Sequence, residues 1–184
     1  MTQADFNSSS RTGGGVTRLV TIGGVPKPAL LSMLHQAGVR LNEAAETLFA
    51  DDRFATVSEK VVVETVEVTV QSLGLSKGGT FASICERASS EGLTLCPLEL
   101  GPHLRLQLTD QPEGSLGKQW PAHCAPAGSI TVVSAPLADD DAAPKGFYLR
   151  RIEGTLWLRG YWSSPGHVWS PHDVLMFARA QHAG

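Results

Sequence analysis

A two-residue connection between two alternating segments constrains the fold of this chain more than any other feature. Residues 147–152 and 155–161 alternate apolar with polar or aromatic side chains, and Glu153-Gly154 separates them. Alternation with a period of two is typical of a β-strand, and a two-residue connection that contains glycine is typical of a tight hairpin turn. We therefore predict an antiparallel β-hairpin, which requires the fold to contain a sheet.

The register of this hairpin decides which side chains share a face. A turn at Glu153-Gly154 places Arg150 opposite Trp157 and Tyr148 opposite Arg159. One face then carries the candidate binding residues Tyr148, Arg150, Trp157, Arg159 and Tyr161. The other face carries Phe147, Leu149, Leu156 and Leu158. Arginines interleaved with aromatic rings can stack on planar ligands, bind anions or anchor a protein partner. An exposed sheet face whose arginines cover rings only for packing has the same pattern.

Hydrophobic periodicity elsewhere in the chain indicates both strands and helices. Strand patterns occur at 16–22, 60–71, 104–108 and 130–133, and at 174–178, which we expect to close the sheet. Helical patterns occur at 27–37, 42–50 and 81–90. The strand at 104–108 is predicted from the alternation of Leu104, Leu106 and Leu108 with polar residues. The sum is an α+β fold: a mostly antiparallel sheet with a crossing helix near 81–91 and a small N-terminal helical pair.

Length and composition favour one domain. A chain of 184 residues is within the usual range of a single domain. Residues 1–15 are rich in serine and glycine and contain few apolar side chains, so they cannot bury enough surface to offset their ordering entropy. We expect a flexible tail at 1–15, followed by a single α+β domain at 16–184.

The charge balance argues against nucleic acid as a partner. Fifteen Lys and Arg against eighteen Asp and Glu give a formal net charge of −3, whereas proteins that bind nucleic acid usually carry a basic surface. Residues 27–50 have the length of a helix-turn-helix, but the second helix contains Glu43 and Glu46, which would repel phosphates. We expect a plain helical hairpin there, and a protein or a small planar or anionic ligand as the partner.

The chain shows no pattern that predicts a membrane segment or an oxidising compartment. Its start, Met1–Asp5, is polar, and its apolar stretches are far shorter than the roughly 18 residues of a membrane helix. The spacing of Cys85, Cys96 and Cys124 fits neither a disulfide framework nor a CxxC pair. We therefore expect a cytoplasmic protein.

Several motifs are shared with known proteins: Ala37-Gly38-Val39-Arg40-Leu41-Asn42, Leu48-Phe49-Ala50, Leu95-Cys96-Pro97-Leu98-Glu99-Leu100, His103-Leu104-Arg105-Leu106-Gln107, Pro136-Leu137-Ala138-Asp139-Asp140-Asp141, Gly146-Phe147-Tyr148-Leu149-Arg150 and Leu156-Trp157-Leu158-Arg159-Gly160-Tyr161. With these motifs the chain resembles, from about Val16 onward, a group of small uncharacterised bacterial proteins of similar length, some of which are labelled helicase. The residues do not support that label, because a phosphate loop ends in Gly-Lys-Ser/Thr, whereas Gly78-Gly79 separates Lys77 from Thr80. We expect neither nucleotide hydrolysis nor duplex unwinding.

An enzymatic alternative depends on polar residues that would have to converge in three dimensions. Its candidates are Glu99, His103 and Arg105, together with the acidic loop Asp139–Asp141. That loop lacks the ligand spacing of a calcium loop, and no two histidines have the i, i+4 spacing of a zinc peptidase. We expect no metal, no cofactor and no catalytic residue, and we favour a non-enzymatic binding or interaction domain. A deep cleft with several titratable groups would favour an enzyme, whereas a flat Arg/aromatic face would favour binding.

Overall fold

The structure is a computed structural model that describes residues 10–12, 15–114 and 125–180. Its strands, in chain order, are β1 (Ser10–Thr12), β2 (Gly15–Ile22), β3 (Arg40–Leu41), β4 (Val61–Thr69), β5 (Gly79–Thr80), β6 (Leu93–Thr94), β7 (Ile130–Val132), β8 (Gly146–Ile152), β9 (Thr155–Tyr161), β10 (Val168–Trp169) and β11 (Val174–Arg179). Its α-helices are α1 (Lys27–Gln36), α2 (Glu43–Ala50), α3 (Phe81–Ser90) and α4 (Leu100–Gln107). A short 3-10 helix follows β4 at Gln71–Leu73. The described chain therefore combines helices and strands. None of its helices is long and apolar enough to cross a membrane.

Most of the strands belong to one large, mostly antiparallel sheet. Its order is β1-β2-β4-β11-β7-β8-β9-β3, with β6 also paired to β11, while β10 and β5 form a separate pair. The pairs β11–β7 and β3–β9 are parallel. The prediction that 174–178 closes the sheet is wrong, because β11 lies in its centre between β4 and β7. Residues 175–178 are all buried, and a run that is apolar on both faces is typical of a central strand.

The first face of the sheet, which we call the inner face, is covered by α1, α2 and α4. Their side chains form one large core with those of the sheet. The rings of Phe49, Phe54 and Phe147 lie at its centre, with centroids 5.3 to 6.0 Å apart. The main contacts of α1 are with α4, and those of α2 are with β9. The two N-terminal helices therefore pack mainly against α4 and β9 and not against each other.

Residues 104–108, for which we predicted a strand, belong to helix α4 and the residue that follows it. Leu100, Leu104 and Leu108 are all buried, and a spacing of four residues places them on one side of a helix. Leucines at every second position fit this arrangement as well as a strand, so their alternation alone could not decide between the two. Pro102 lies in the first helical turn, where its missing N–H removes no intrahelical hydrogen bond.

The opposite, outer face of the sheet is covered by α3 over only part of its width. Ile84 and Ala88 of α3 pack with Val68, Leu175 and Phe177 in a second core. The helices that contact β8 and β9, namely α2 and α4, do so from the inner face. Among the described residues, no helix packs on the outer side of β8, β9 and β3 except at Tyr161, which ends β9 and joins the core of α3.

The sheet extends into the segment for which we predicted a flexible tail. Ser10–Thr12 pair antiparallel with residues 15–17 of β2, so sheet pairing begins before the strand predicted at Val16. Edge pairing of this kind uses backbone hydrogen bonds and needs no apolar side chains, which is why composition gave no sign of it. The remaining residues of the tail prediction, 1–9 and 13–14, lie outside the described chain.

Candidate functional site

The predicted hairpin is present, with the predicted register. β8 and β9 pair antiparallel with Arg150 opposite Trp157 and Tyr148 opposite Arg159. The turn residues Glu153 and Gly154 both have positive φ, 48° and 74°. This is the conformation that a two-residue hairpin turn requires, and glycine adopts it without strain.

The two sides of the hairpin are as different as the alternation predicts. Phe147, Leu149 and Leu158 are 0% exposed and belong to the inner core. The five candidate binding residues lie on the outer side and are all partly exposed. The separation follows from the strand pleat, which sends successive side chains to opposite faces.

A third strand adds an arginine to the outer side of the hairpin. Arg40 of β3 lies opposite Trp157 in a parallel pairing, and its guanidinium carbon is 5.6 Å from the centre of the Trp157 ring. From the other side, the guanidinium carbon of Arg159 lies 5.2 Å from the same ring centre and 6.0 Å from that of Tyr148. These distances are within the range of cation–π interactions. We name the surface made by Arg40, Tyr148, Arg150, Trp157 and Arg159 the hairpin face.

Sequence reasoning missed Arg40, and the reason is physical. Its strand is only two residues long and shows no alternation, and its partner Trp157 lies 117 positions further along the chain. Only the tertiary pairing of β3 with β9 places this arginine beside the hairpin.

The arginines of the hairpin face have no acidic partner in the part of the chain that the structure describes. Other surface arginines do have one: Arg18 lies 2.7 Å from Glu67, and Arg179 lies 2.8 Å from Glu64. In contrast, the buried Nε atoms of Arg150 and Arg159 have no hydrogen-bond acceptor on any described residue. The hairpin face is therefore a local positive surface on a protein of net charge −3.

Tyr161, the fifth candidate residue, lies in a different environment from the other four. Its ring packs edge-on against Trp169, with the centroids 5.6 Å apart, and it joins the second core. Burial, with a smaller contribution from Cys85, raises the pKa of its phenol. Tyr161 thus lies on the outer side of β9, but its ring packs into the second core and not against the arginines.

Beyond Tyr161 lies a cleft of about 310 Å³, which we name the β9 cleft. It lies between the first turn of α3, the segment 134–145 and the segment 161–165. Its lining includes Phe81, Ser134, Asp139, Asp141, Lys145 and Tyr161. The acidic loop of the enzymatic alternative therefore lies at this cleft.

The polar residues of α4 form a separate, buried cluster under the inner face. His103 Nε2 accepts a hydrogen bond from the backbone N–H of Gly23 at 3.1 Å, and it lies 3.6 Å from Glu99 Oε2. The other oxygen of Glu99 accepts from the N–H of Val57 at 3.0 Å. Burial raises the pKa of Glu99 and lowers the pKa of His103, so both neutral forms are favoured. These contacts hold two loops against α4.

Arg105, the third residue of that alternative, is on another side of the helix and fully buried. Its guanidinium donates to Gln111 Oε1 and to the carbonyl of Leu108. Burial lowers its pKa to about 10. None of Glu99, His103 and Arg105 lines the β9 cleft, so the described structure does not bring them together with Asp139 and Asp141 around that cavity.

The cysteines and acidic residues form no recognisable reactive or metal-binding group in the described chain. Cys85 and Cys96 are free thiols, and burial raises the pKa of both, that of Cys96 to about 12. A thiol in such surroundings is a poor nucleophile, because the thiolate is the reactive form. No group of three or more metal-ligating side chains occurs among the residues described. Cys124 lies outside them.

Comparison with known proteins found no match to this chain among family models, curated proteins or solved structures. The resemblance to small bacterial proteins labelled helicase therefore stays a prediction, and the site must be interpreted from its own chemistry.

Proposed function

We propose that this protein is a non-enzymatic binding domain whose hairpin face binds an anionic or planar group on a protein or a small ligand. The observation that carries the proposal is a set of three arginines around the ring of Trp157 that have no acidic partner among the described residues. An arginine that serves packing alone usually finds a carboxylate or a carbonyl acceptor nearby. Here the acceptors are left for a partner to supply.

The strand registers make Trp157 the centre of this site. Arg40 lies opposite it on one neighbouring strand and Arg150 on the other, while Arg159 is two residues further along β9. Directly opposite and diagonal neighbours on one sheet face are about 5 to 8 Å apart. A single carboxylate, sulfonate or phosphate above the Trp157 ring would therefore be within reach of more than one guanidinium, and arginine binds such groups in bidentate fashion.

The buried Nε atoms of Arg150 and Arg159 strengthen this interpretation. A buried donor without an acceptor costs about 1–3 kcal/mol. For Arg150 the burial is due in part to Gly114, since a Cβ on that glycine would lie 3.1 Å from the Arg150 Nε atom. The neighbouring Glu113 does not neutralise this arginine; its carboxylate lies 3.5 Å from Arg151 Nε and accepts from the N–H of Gly154. An anion bound to the exposed part of these two guanidinium groups would offset part of that cost.

The charge distribution favours a small anion or an acidic protein surface over nucleic acid. Three arginines form a short patch, whereas a duplex-binding protein presents a longer basic surface to the phosphates. The exposed Glu43 and Glu46 of α2 would oppose a polyanion near that helix. The free thiols of Cys85 and Cys96 are consistent with action in a reducing compartment such as the cytoplasm.

Two observations weigh against the enzymatic alternative. The polar residues of α4 are occupied by backbone contacts, and Asp139 and Asp141 lie at a different cavity. The described thiols are protonated at neutral pH.

The proposal can be tested with a planar dianion, naphthalene-1,5-disulfonate, titrated into isotopically labelled protein. We expect amide shifts concentrated on β8, β9 and β3, which Arg150→Glu/Arg159→Glu abolishes while the far-UV spectrum and the melting temperature are retained. The matched control is Lys77→Glu/Arg87→Glu, which makes the same change in net charge at two exposed residues away from the hairpin and should bind like the wild type. Equal loss in both double variants would show non-specific attraction, and unchanged binding in Arg150→Glu/Arg159→Glu would rule out this surface.

A further inference from the structure

The β9 cleft has the size and lining of a small-molecule site. Its volume of about 310 Å³ is at the lower end of the roughly 300–1,000 Å³ typical of ligand pockets, so it has room for a compound with one ring. Phe81, Pro136, Tyr161 and Pro165 supply apolar walls. These walls lie on three separate segments of the chain, and only the tertiary fold brings them together.

A buried hydroxyl without a partner lies in the floor of this cleft. Ser134 is 1% exposed and lines the cleft, yet its Oγ atom makes no hydrogen bond to any described residue. Its backbone is held in place by an isolated bridge to Cys96. Buried polar atoms in native proteins nearly always have a hydrogen-bond partner. A ligand with a hydroxyl or a similar group would supply the missing one.

Gly146 leaves room for that partner at the floor. A Cβ built on Gly146 would lie 3.1 Å from Ser134 Oγ and 3.3 Å from the ring of Tyr161, closer than most real Cβ contacts. Any other residue at this position would therefore crowd the space beside the serine and the phenol ring.

The rim of the cleft carries two carboxylates and one ammonium. Asp139 and Asp141 are exposed and line the cleft, and no described residue forms an ion pair or a side-chain hydrogen bond with either carboxylate. Lys145 also lines the cleft, but its ammonium donates to the carbonyls of Ala138 at 3.2 Å and Asp140 at 2.8 Å. The positive end of α3 contributes only about half a charge. The two carboxylates outnumber the Lys145 ammonium, so the charged side chains that line the cleft favour a ligand cation over an anion.

We propose that the β9 cleft is a second ligand site, specific for small single-ring ammonium compounds that carry a hydroxyl at the far end of the ring. The ammonium binds Asp139 and Asp141 at the rim, the ring lies between Phe81 and Tyr161, and the hydroxyl bonds to Ser134. This site is independent of the hairpin face, which is flat and has the opposite charge.

Three matched probes test the proposal: tyramine, phenethylamine, which lacks the hydroxyl, and 3-(4-hydroxyphenyl)propionate, in which a carboxylate replaces the ammonium. Each is titrated into the full labelled chain and followed by amide shifts at 134, 139–143, 145–146 and 161–164. We expect saturable binding of tyramine, weaker binding of phenethylamine and the weakest binding of the propionate. Absence of saturable shifts at millimolar tyramine, or binding of the propionate at least as tight as that of tyramine, would overturn the proposal.

Variants then assign the two ends of the ligand. Ser134→Ala should weaken the binding of tyramine by about 3- to 10-fold, the effect of one hydrogen bond. It should leave the affinity for phenethylamine unchanged. Asp139→Asn/Asp141→Asn should weaken the binding of tyramine and of phenethylamine by a similar factor, because both carry the ammonium. Asp140→Asn is the matched control, because Asp140 does not line the cleft and asparagine can still accept from the N–H of Ala142. Equal weakening of both amines by Ser134→Ala, or no effect of the double variant, would contradict the assignment.

A blocking variant separates this site from the hairpin face. Ala82 is exposed on the first turn of α3 and lines the cleft, so Ala82→Trp should fill the entrance and abolish tyramine binding. Glu86→Trp, at an exposed position of the same helix that does not line the cleft, should bind like the wild type. Arg150→Glu/Arg159→Glu should also bind tyramine with the affinity of the wild type. Loss of tyramine binding in this last variant would show that the amine does not bind in the cleft.

Discussion

The two sides of the β8–β9 hairpin are made by alternate residues of the same two strands, yet they have nothing in common chemically. The inner side consists of Phe147, Leu149, Leu158 and Gly160, closed under α2 and α4. The outer side consists of arginines and rings, and only Tyr161 at its end packs with a helix in the described chain, α3. Because successive side chains alternate between faces, a single pair of strands can complete a core and present a charged surface at the same time. The fold stability should therefore depend on the inner side and binding on the outer side.

The largest effect should come from truncation of the inner side. Leu158 is fully buried opposite Leu149, so Leu158→Ala removes transfer free energy and leaves a cavity, which together cost about 2–5 kcal/mol. Chemical denaturation measures the change directly. If Arg159→Ala, at the adjacent position, were the more destabilising of the two, the facing would be inverted and the hairpin face would not exist.

The next largest effect should come from adding a methyl group where α2 crosses β9. A Cβ on Gly160 would lie 2.6 Å from the Ala44 carbonyl carbon and 2.7 Å from the Ala45 nitrogen. These are backbone atoms of a packed helix, so they cannot move aside cheaply. We expect Gly160→Ala to destabilise the fold by about 1–3 kcal/mol. Gly166→Ala, where the added atom meets nothing within 4 Å, is the control and should change stability by no more than about 0.5 kcal/mol.

The hydrogen bonds of Asn42 on the inner side should contribute somewhat less to the free energy of unfolding than the packing at Gly160 does. Asn42 caps α2 by accepting from the N–H of Ala45 at 3.1 Å, and its amide also exchanges two hydrogen bonds with the backbone of Gly160. Asn42→Ala should cost about 1–2 kcal/mol in thermal or chemical unfolding. Asn42→Asp keeps the acceptor for the cap and for the N–H of Gly160 but loses the donor, so we expect it to be less harmful than alanine. A larger loss in the aspartate variant would argue against the capping role.

A smaller effect should distinguish the two sides by pH. Burial holds the pKa of His103, under the inner face, below its ordinary value, so the unfolded chain binds a proton that the folded chain excludes. Stability should therefore fall as the pH is lowered through about 6.5, the ordinary pKa of histidine. His103→Gln should lose less stability between pH 7.5 and pH 5.5 than the wild type does. The raised pKa of Glu99 acts in the opposite direction, but this residue is present in both proteins. Parallel pH curves for the two would contradict the prediction.

The smallest effect on stability should come from the outer side. Arg150 and Arg159 have no ion pair among the described residues, so Arg150→Ala and Arg159→Ala should each change the free energy of unfolding by less than about 1 kcal/mol. The same variants should weaken binding of the planar dianion. A cost above about 2 kcal/mol for either arginine would show that its contacts with the rings serve the fold, and would make the packing interpretation of the hairpin face the correct one.

Features that depend on residues close together in the sequence could be predicted from it, whereas features that depend on residues far apart in the sequence could not. The hairpin, its register and its two faces depend on local rules, the strand period and a two-residue turn, and they were predicted. The helix at 104–107 was not predicted, because leucines at every second position fit a helix and a strand equally well. Only the burial of Leu100, Leu104 and Leu108 against the sheet selects the helix. The position of β11 was also missed, since strand order depends on pairings between distant segments.

For the candidate site, the sequence by itself determined that Tyr148, Arg150, Trp157 and Arg159 share a face, because a pleated strand sends alternate side chains to the same side. Tertiary structure alone decided what surrounds them. It placed Arg40 beside Trp157 and turned Tyr161 into the second core. It also assembled the β9 cleft around Ser134 from segments far apart in the chain. Local backbone geometry fixes the direction of a side chain, whereas its neighbours depend on how distant segments pack to bury apolar surface.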